Sequence, residues 1–169
     1  SASSGNHGQS ISYAAQIFGT TATIVVPENC NPGKVESMRN LGGNVILHGR
    51  DFDEAREHVE QLAQQKGYRY IHSANEPDLI AGVGTYTLEI LEDLPDVDVI
   101  IGPVGGGSGV CGTCIVAKNV NPAIQVIGVQ AEKAPAAYLS WKKNCITEAS
   151  METMAEGLAT RFGFELTQN

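Results

Sequence analysis

The sequence predicts an α/β protein in three layers: open parallel sheets with helices on both faces, in two lobes, the smaller one N-terminal. Three observations predict it. Short β-rich runs alternate with helix-period stretches along most of the chain, which calls for crossover helices and parallel strands. An apolar run at 97–101 leads into Gly105-Gly106-Gly107-Ser108-Gly109 and then a helical stretch. A loop at 73–77 interrupts the alternation and divides the chain into 1–73 and 74–169.

The elements follow in order. His7 to Phe18 is a helix, with Ile11, Ala14, Ala15 and Phe18 at helical spacing and Gly19 after it. Ala22 to Val26 is a strand closed by Pro27. Pro32 to Leu41 is a helix with proline in its first turn and Gly42-Gly43 beyond its end. Asn44 to His48 is the second strand. Asp51 to Lys66 is an amphipathic helix that buries Ala55, Val59, Leu62 and Ala63 and stops at Gly67. Tyr68 to His72 is expected as a third strand. A helix follows at about 84–91, then the strand, glycine loop and helix Val110 to Asn119, then a strand at Gln125 to Gln130. Ala134 to Lys142 and Met151 to Leu158 are the remaining expected helices.

Composition narrows the function classes. The chain has 169 residues, 42% of them hydrophobic and 18% charged, the range of a folded globular protein. Its net charge of −8 disfavours a nucleic-acid partner, whose phosphates need clustered Lys and Arg. No apolar run approaches the roughly 20 residues that cross a bilayer. A signal peptide is not evident, so the expectation is a cytoplasmic protein with no membrane partner. Cys111-Gly112-Thr113-Cys114 spells C-x-x-C, but no second pair stands at zinc spacing, and the thiols read as small packed residues. Ser1 is not an initiator Met, and the chain reads as a piece of a longer protein.

Two clusters carry chemistry. Glycines at 105–109 let the backbone turn sharply and bring its N–H groups to an oxyanion, and the following helix adds its N-terminal donors. The loop holds no Lys or Arg, so a phosphate there would be bound by main chain and the Ser108 hydroxyl. Ser3-Ser4-Gly5-Asn6-His7-Gly8 sets hydroxyls, a carboxamide and an imidazole at a helix start, suited to a carboxylate. Capping alone needs only one such residue. His48, His58 and His72 read as strand-end, helix-surface and loop residues.

SSGNHGQ, Pro27-Glu28-Asn29, Pro32-x-Lys34-Val35, Asn75-Glu76-Pro77 through Gly84-Thr85, GGGSG and Ala155-Glu156-Gly157 occur in this order. With them the chain resembles the serine/threonine dehydratase and serine racemase group of pyridoxal-phosphate enzymes, within the tryptophan-synthase-β-like superfamily. The resemblance implies dehydration and deamination of a hydroxy amino acid such as threonine or serine to a 2-keto acid and ammonia. It implies that Gly105, Gly106, Gly107, Ser108 and Gly109 hold the cofactor phosphate, and that Asn6 bonds its phenolic oxygen. Gly157 approaches its ring. Ser3, Ser4 and His7 receive the substrate carboxylate, and in racemising members a serine in the place of Ser4 is the second-face acid/base.

By the same resemblance, the lysine that holds the cofactor covalently precedes residue 1 and the larger lobe is incomplete. The isolated chain is therefore expected to be inactive, and to form a homodimer or pair with a complementary fragment. A cation site of some relatives has Gln130 and Ala136 in place of its acidic residues, so no metal is expected. Ala74 stands where relatives often carry a larger side chain near the substrate. Two other readings remain open. Gly107-x-Gly109-x-x-Gly112 followed by Glu132 also satisfies a nicotinamide-dinucleotide fingerprint, and a truncated product could be non-catalytic.

Overall fold

Strand β1, Thr23–Val26, is the centre of the first unit, and its alternation sorts the helices around it. Ile24 and Val26 face a core shared with Ala15, Val35 and Met38. These come from helices α1, Asn6–Ile17, and α2, Pro32–Asn40. Val25 faces the other way, toward Ala55 and Val59 of α3, Phe52–Lys66. Side chains of opposite parity enter opposite layers, as a strand period of two requires. Strand β2, Asn44–Leu47, pairs with β1 in parallel, Thr23 opposite Asn44. This computed structural model describes residues 1–168. It divides after Ser73 into two units.

Local chemistry ends these elements where the sequence suggests. The Asn31 side chain accepts the Gly33 amide at 2.9 Å to start α2. Asp51 accepts the Glu54 amide at 3.0 Å, and Glu54 reaches back to the Arg50 amide at 2.9 Å, in the manner of a capping box. Gly67 closes α3 at φ 67°, in the left-handed region that favours glycine.

The expected strand at Tyr68 to His72 is not formed. The second edge of β1 is already taken, because the Val25 amide donates to Ser1 O at 2.9 Å and the Ser3 amide to Val25 O at 3.1 Å. A strand needs a partner edge for its N–H and C=O groups. Residues 68–71 instead line a cavity of about 500 Å³ with α1 and α3.

In the second unit, helix α4 runs Pro77–Asp93, starting well before the expected residue 84. Pro77 suits a first helical turn, and the glycines at 82 and 84 are accommodated inside the helix. Strand β3, Val99–Val104, pairs in parallel with β4, Gln125–Gln130, Val99 opposite Gln125. Between them lies α5, Ser108–Val120. Leu91, Ala117 and Ile124 form the core beneath this sheet with Ile100 and Val126. Val99, Ile101, Ile127 and Val129, on the opposite face, are exposed. Helix α6 follows, Ala136–Lys143.

The expected helix at Met151 to Leu158 reduces to one 3₁₀ turn, Glu156–Leu158. Ser150 accepts the Glu152 amide and Thr153 the Ala155 amide, so local side chains take the donors that helix growth needs. A second such turn is Glu165–Thr167.

Candidate functional site

In the second unit, β3 delivers the chain to the glycine loop and α5 leaves it. Gly107 stands at φ 99° as the residue before α5, with no side-chain cap. The first hydrogen bond closing the helix is from the Cys111 amide to Gly107 O, at 3.0 Å. The Ser108, Gly109 and Val110 amides therefore have no helical partner, as at any uncapped helix start. The Ser108 hydroxyl also makes no bond among the described residues.

Close backbone approaches surround this turn. A Cβ on Gly105 would stand 2.9 Å from Gly157 O and 3.1 Å from the Leu158 Cα. One on Gly106 would meet Phe164 at 3.1 Å and the Ala74 Cβ at 3.3 Å. One on Gly107 would meet the Thr167 Cβ at 2.8 Å. Around Gly109 and Gly157 nothing lies within 4 Å of an added Cβ. The loop is held from behind by packed residues and open at Gly109. Ala74 is fully buried against it, so its small side chain also serves the packing of Gly106. Thr167 Oγ1 donates to Gly106 O at 2.7 Å, a tie that sequence reading missed because 61 residues separate the partners.

In the first unit, Ser3 hydrogen-bonds within its own loop. Its hydroxyl is buried, accepts the Gly8 amide at 2.8 Å and the Gly5 amide at 3.1 Å, and donates to Gly5 O at 3.3 Å. Its hydroxyl thus serves two amides around the start of α1, whose N-cap is Gly5. Ser4 and Asn6 differ: the Ser4 side chain is half-buried, that of Asn6 exposed, and neither has a side-chain hydrogen bond among the described residues. Gly8 is required by packing, since a Cβ there would stand 2.7 Å from Met38 Sδ.

His7 lies 2.8 Å from Ser1 Oγ through Nε2 and hydrogen-bonds the Ile71 backbone. Burial holds its pKa down to about 4, with the Ile71 bond opposing. At neutral pH the ring is uncharged. His72, likewise held down to about 4 by burial and then by Arg56 and His7, belongs to the same cluster. His48 and His58 stack on each other at a ring separation of 3.9 Å.

At the end of β4, the Gln130 side-chain oxygen accepts the Tyr138 amide at 2.9 Å. An amide cap thus occupies the position where the resemblance places a carboxylate in cation-binding relatives. Among the described residues no cluster of three or more His, Cys, Asp or Glu side chains could hold a metal. No described helix is long and apolar enough to cross a membrane.

Parallel α/β units with an uncapped glycine turn ahead of α5 define the class, and sequence comparison defines the family. The model of the pyridoxal-phosphate dependent enzymes matches residues 1–168, and the chain belongs to this family. L-threonine ammonia-lyase of Thermotoga maritima is 44% identical over 167 residues, which is 98% of this chain and 42% of that protein. The catabolic L-threonine dehydratase TdcB of Staphylococcus aureus is 38% identical, over 98% of this chain and 48% of its own length. Among solved structures, the processed threonine deaminase isoform 2 of Solanum lycopersicum superposes with a TM-score of 0.90 at 34% identity, covering 99% of this chain and 49% of that one. Maize serine racemase gives 0.89 at 32% identity, over 99% of this chain and 51% of its own. The chain thus spans about half the length of the relatives it matches.

The family's cofactor is pyridoxal phosphate, and the glycine turn fits its phosphate: the amides that open α5 and the Ser108 hydroxyl have no partner among the described residues, and the space around Gly109 is open. The dinucleotide reading is not supported. Gly112, which that fingerprint would press against a strand, packs instead on helix α4 at Gly84.

Proposed function

We propose that the complete protein is a pyridoxal-phosphate-dependent ammonia-lyase that converts threonine, serine or a similar hydroxy amino acid to a 2-keto acid and ammonia. The observation that carries this reading is the first turn of α5, whose Ser108, Gly109 and Val110 amides and Ser108 hydroxyl are unpaired behind a left-handed Gly107. Such a turn binds a phosphate with its backbone donors and the positive end of the helix dipole. Relatives named as threonine ammonia-lyase and threonine dehydratase, 44% and 38% identical, support the substrate class.

When bound, the cofactor supplies an electron sink for negative charge at the substrate α-carbon. The residues of this chain hold and orient. Gly105 to Gly109 fix the phosphate, and the open side of Gly157 leaves room for a flat ring. Asn6 offers its carboxamide to the ring's phenolic oxygen. Ser4 Oγ, which has no hydrogen-bond partner among the described residues, would receive the substrate carboxylate and hold or return a proton at the α-carbon. Ser3 and His7 keep this loop in shape.

The lobe 74–169 is on this reading the cofactor-phosphate lobe, and 1–73 the lobe that grips the substrate. A second copy or a complementary segment of the family would cover the exposed Val99, Ile101, Ile127 and Val129. The four cysteines, none of them in a disulfide, accord with a reducing, cytoplasmic setting.

Calorimetric titration with pyridoxine 5′-phosphate tests the central claim, because this ligand has the phosphate and ring but no aldehyde to react with surface lysines. Saturable binding at one site, lost with unphosphorylated pyridoxine, is expected. Equal affinity for both ligands would refute phosphate anchoring.

A further inference from the structure

We propose that Cys111 and Cys114 form a reversible disulfide within α5 that switches the phosphate-binding turn between a competent and a distorted state. Both thiols are free and partly accessible. Residues three apart share a helix face, with Cβ atoms about 5–6 Å from each other. Their proximity also registers electrostatically: after burial, Cys114 is the second cause that pushes the Cys111 thiol up. A disulfide needs Cβ atoms about 3.5–4.5 Å apart, so the helix turn between them must tighten by roughly 1–2 Å.

That turn is continuous with the glycine loop. The Cys111 amide closes the first hydrogen bond of α5, to Gly107 O at 3.0 Å. Its sulfur donates weakly to Thr167 O at 3.7 Å, and Thr167 Oγ1 holds Gly106 O at 2.7 Å. Drawing the Cys111 sulfur toward Cys114 removes the first of these ties and strains the turn that presents the Ser108, Gly109 and Val110 amides. A strained disulfide is also the readily reduced kind, which suits a reversible device.

The oxidant is a small-molecule disulfide such as oxidised glutathione. One protein thiolate attacks a sulfur of that disulfide, forming a mixed disulfide and expelling one glutathione thiolate. The second protein thiolate then attacks the bound cysteine sulfur, forming the Cys111–Cys114 bond and expelling the other. Two protein thiols are oxidised, one external disulfide is reduced, and the two protons the protein thiols lose end on the two glutathione thiols. Because burial keeps the Cys111 proton on, exchange through this thiol accelerates as pH rises above the ordinary thiol range.

Formation of the bond is independent of the phosphate-binding reading; its consequence for the cofactor rests on it. The test incubates the full chain with oxidised glutathione, alkylates remaining thiols, and maps peptides by mass spectrometry. The expected product has lost two hydrogens, with Cys111 and Cys114 joined and Cys30 and Cys145 alkylated, and dithiothreitol restores the original mass. In Cys114→Ser the glutathione adduct persists on Cys111. Equilibrium dialysis against pyridoxine 5′-phosphate is expected to show on the order of tenfold weaker binding by the oxidised chain. Stable glutathione adducts on both cysteines, or a bond to Cys30 or Cys145, would overturn the disulfide. Unchanged affinity after oxidation would overturn the switch. If the reduced chain binds no pyridoxine phosphate, the phosphate-binding reading and the switch fall, while the mass spectrum still decides the bond.

Discussion

Gly84 of α4 and Gly112 of α5 meet backbone to backbone: a Cβ on Gly112 would stand 2.9 Å from the Gly84 amide nitrogen and 2.9 Å from Ile80 O. Neither obstacle is a flexible side-chain end. The crossing brings α4 against the helix that begins at the glycine turn, and Tyr86 extends the contact by donating to Gly109 O at 3.2 Å.

Gly112→Ala weighs two opposed effects. Alanine favours a helix interior over glycine by about 1 kcal/mol. Overpacking against a backbone that cannot rotate away costs about 1–3 kcal/mol and forces the helices apart. The net expectation is destabilisation, read as a lower urea midpoint; a raised midpoint would show that the crossing gives way easily.

The two sides of the glycine turn respond differently to a methyl group. Gly107→Ala places a side chain at φ 99° and 2.8 Å from Thr167, so it loses about 1–3 kcal/mol of stability. Gly109→Ala enters open space at an ordinary helical position and leaves stability within about 1 kcal/mol. Yet it stands beside the free amides, so pyridoxine 5′-phosphate binding weakens severalfold. A stable Gly109→Ala variant with undiminished affinity would move the anion away from this turn.

Asp51 is buried and caps α3 through the Glu54 amide. Asp51→Ala is expected to cost about 1 kcal/mol, and Asp51→Ser to recover most of it. Thermal unfolding of the three chains in parallel makes the comparison.

Acid sensitivity follows from His7 and His72, both held down from 6.5 to about 4 in the folded chain. Between those values the unfolded chain binds more protons than the folded one, so stability rises with pH through the window. It is fully present above pH 6.5 and is lost progressively as pH falls toward 4. Urea midpoints at stepped pH are expected to follow this slope, and His72→Asn to flatten it in part. A profile unchanged by that substitution would assign the acid loss to other groups.

Much of the first unit was legible because it depends on neighbours within a turn or two. The helices at 32–40 and 52–66 announce themselves by Pro32, Asp51 and Gly67, whose effects act locally. Tyr68 to His72 has a strand's composition, but pairing depends on an edge that Ser1 to Ser3 already occupy. Composition could not reveal that competition. Likewise SSGNHG reads as one ligand loop, whereas burial separates Ser3, spent on the Gly5 and Gly8 amides, from Ser4 and Asn6.

The order of residues alone settled the alternation of helix and strand, the glycine turn at the head of α5 and the family to which the chain belongs. Folding decided which glycines serve packing and which face open space, and that Phe164 and Thr167 back the glycine turn. The physical reason is range. Capping, periodicity and turn preference act over a few bonds, while a 2.9 Å approach of Gly112 to Gly84 joins residues far apart along the chain and exists only once both helices are docked.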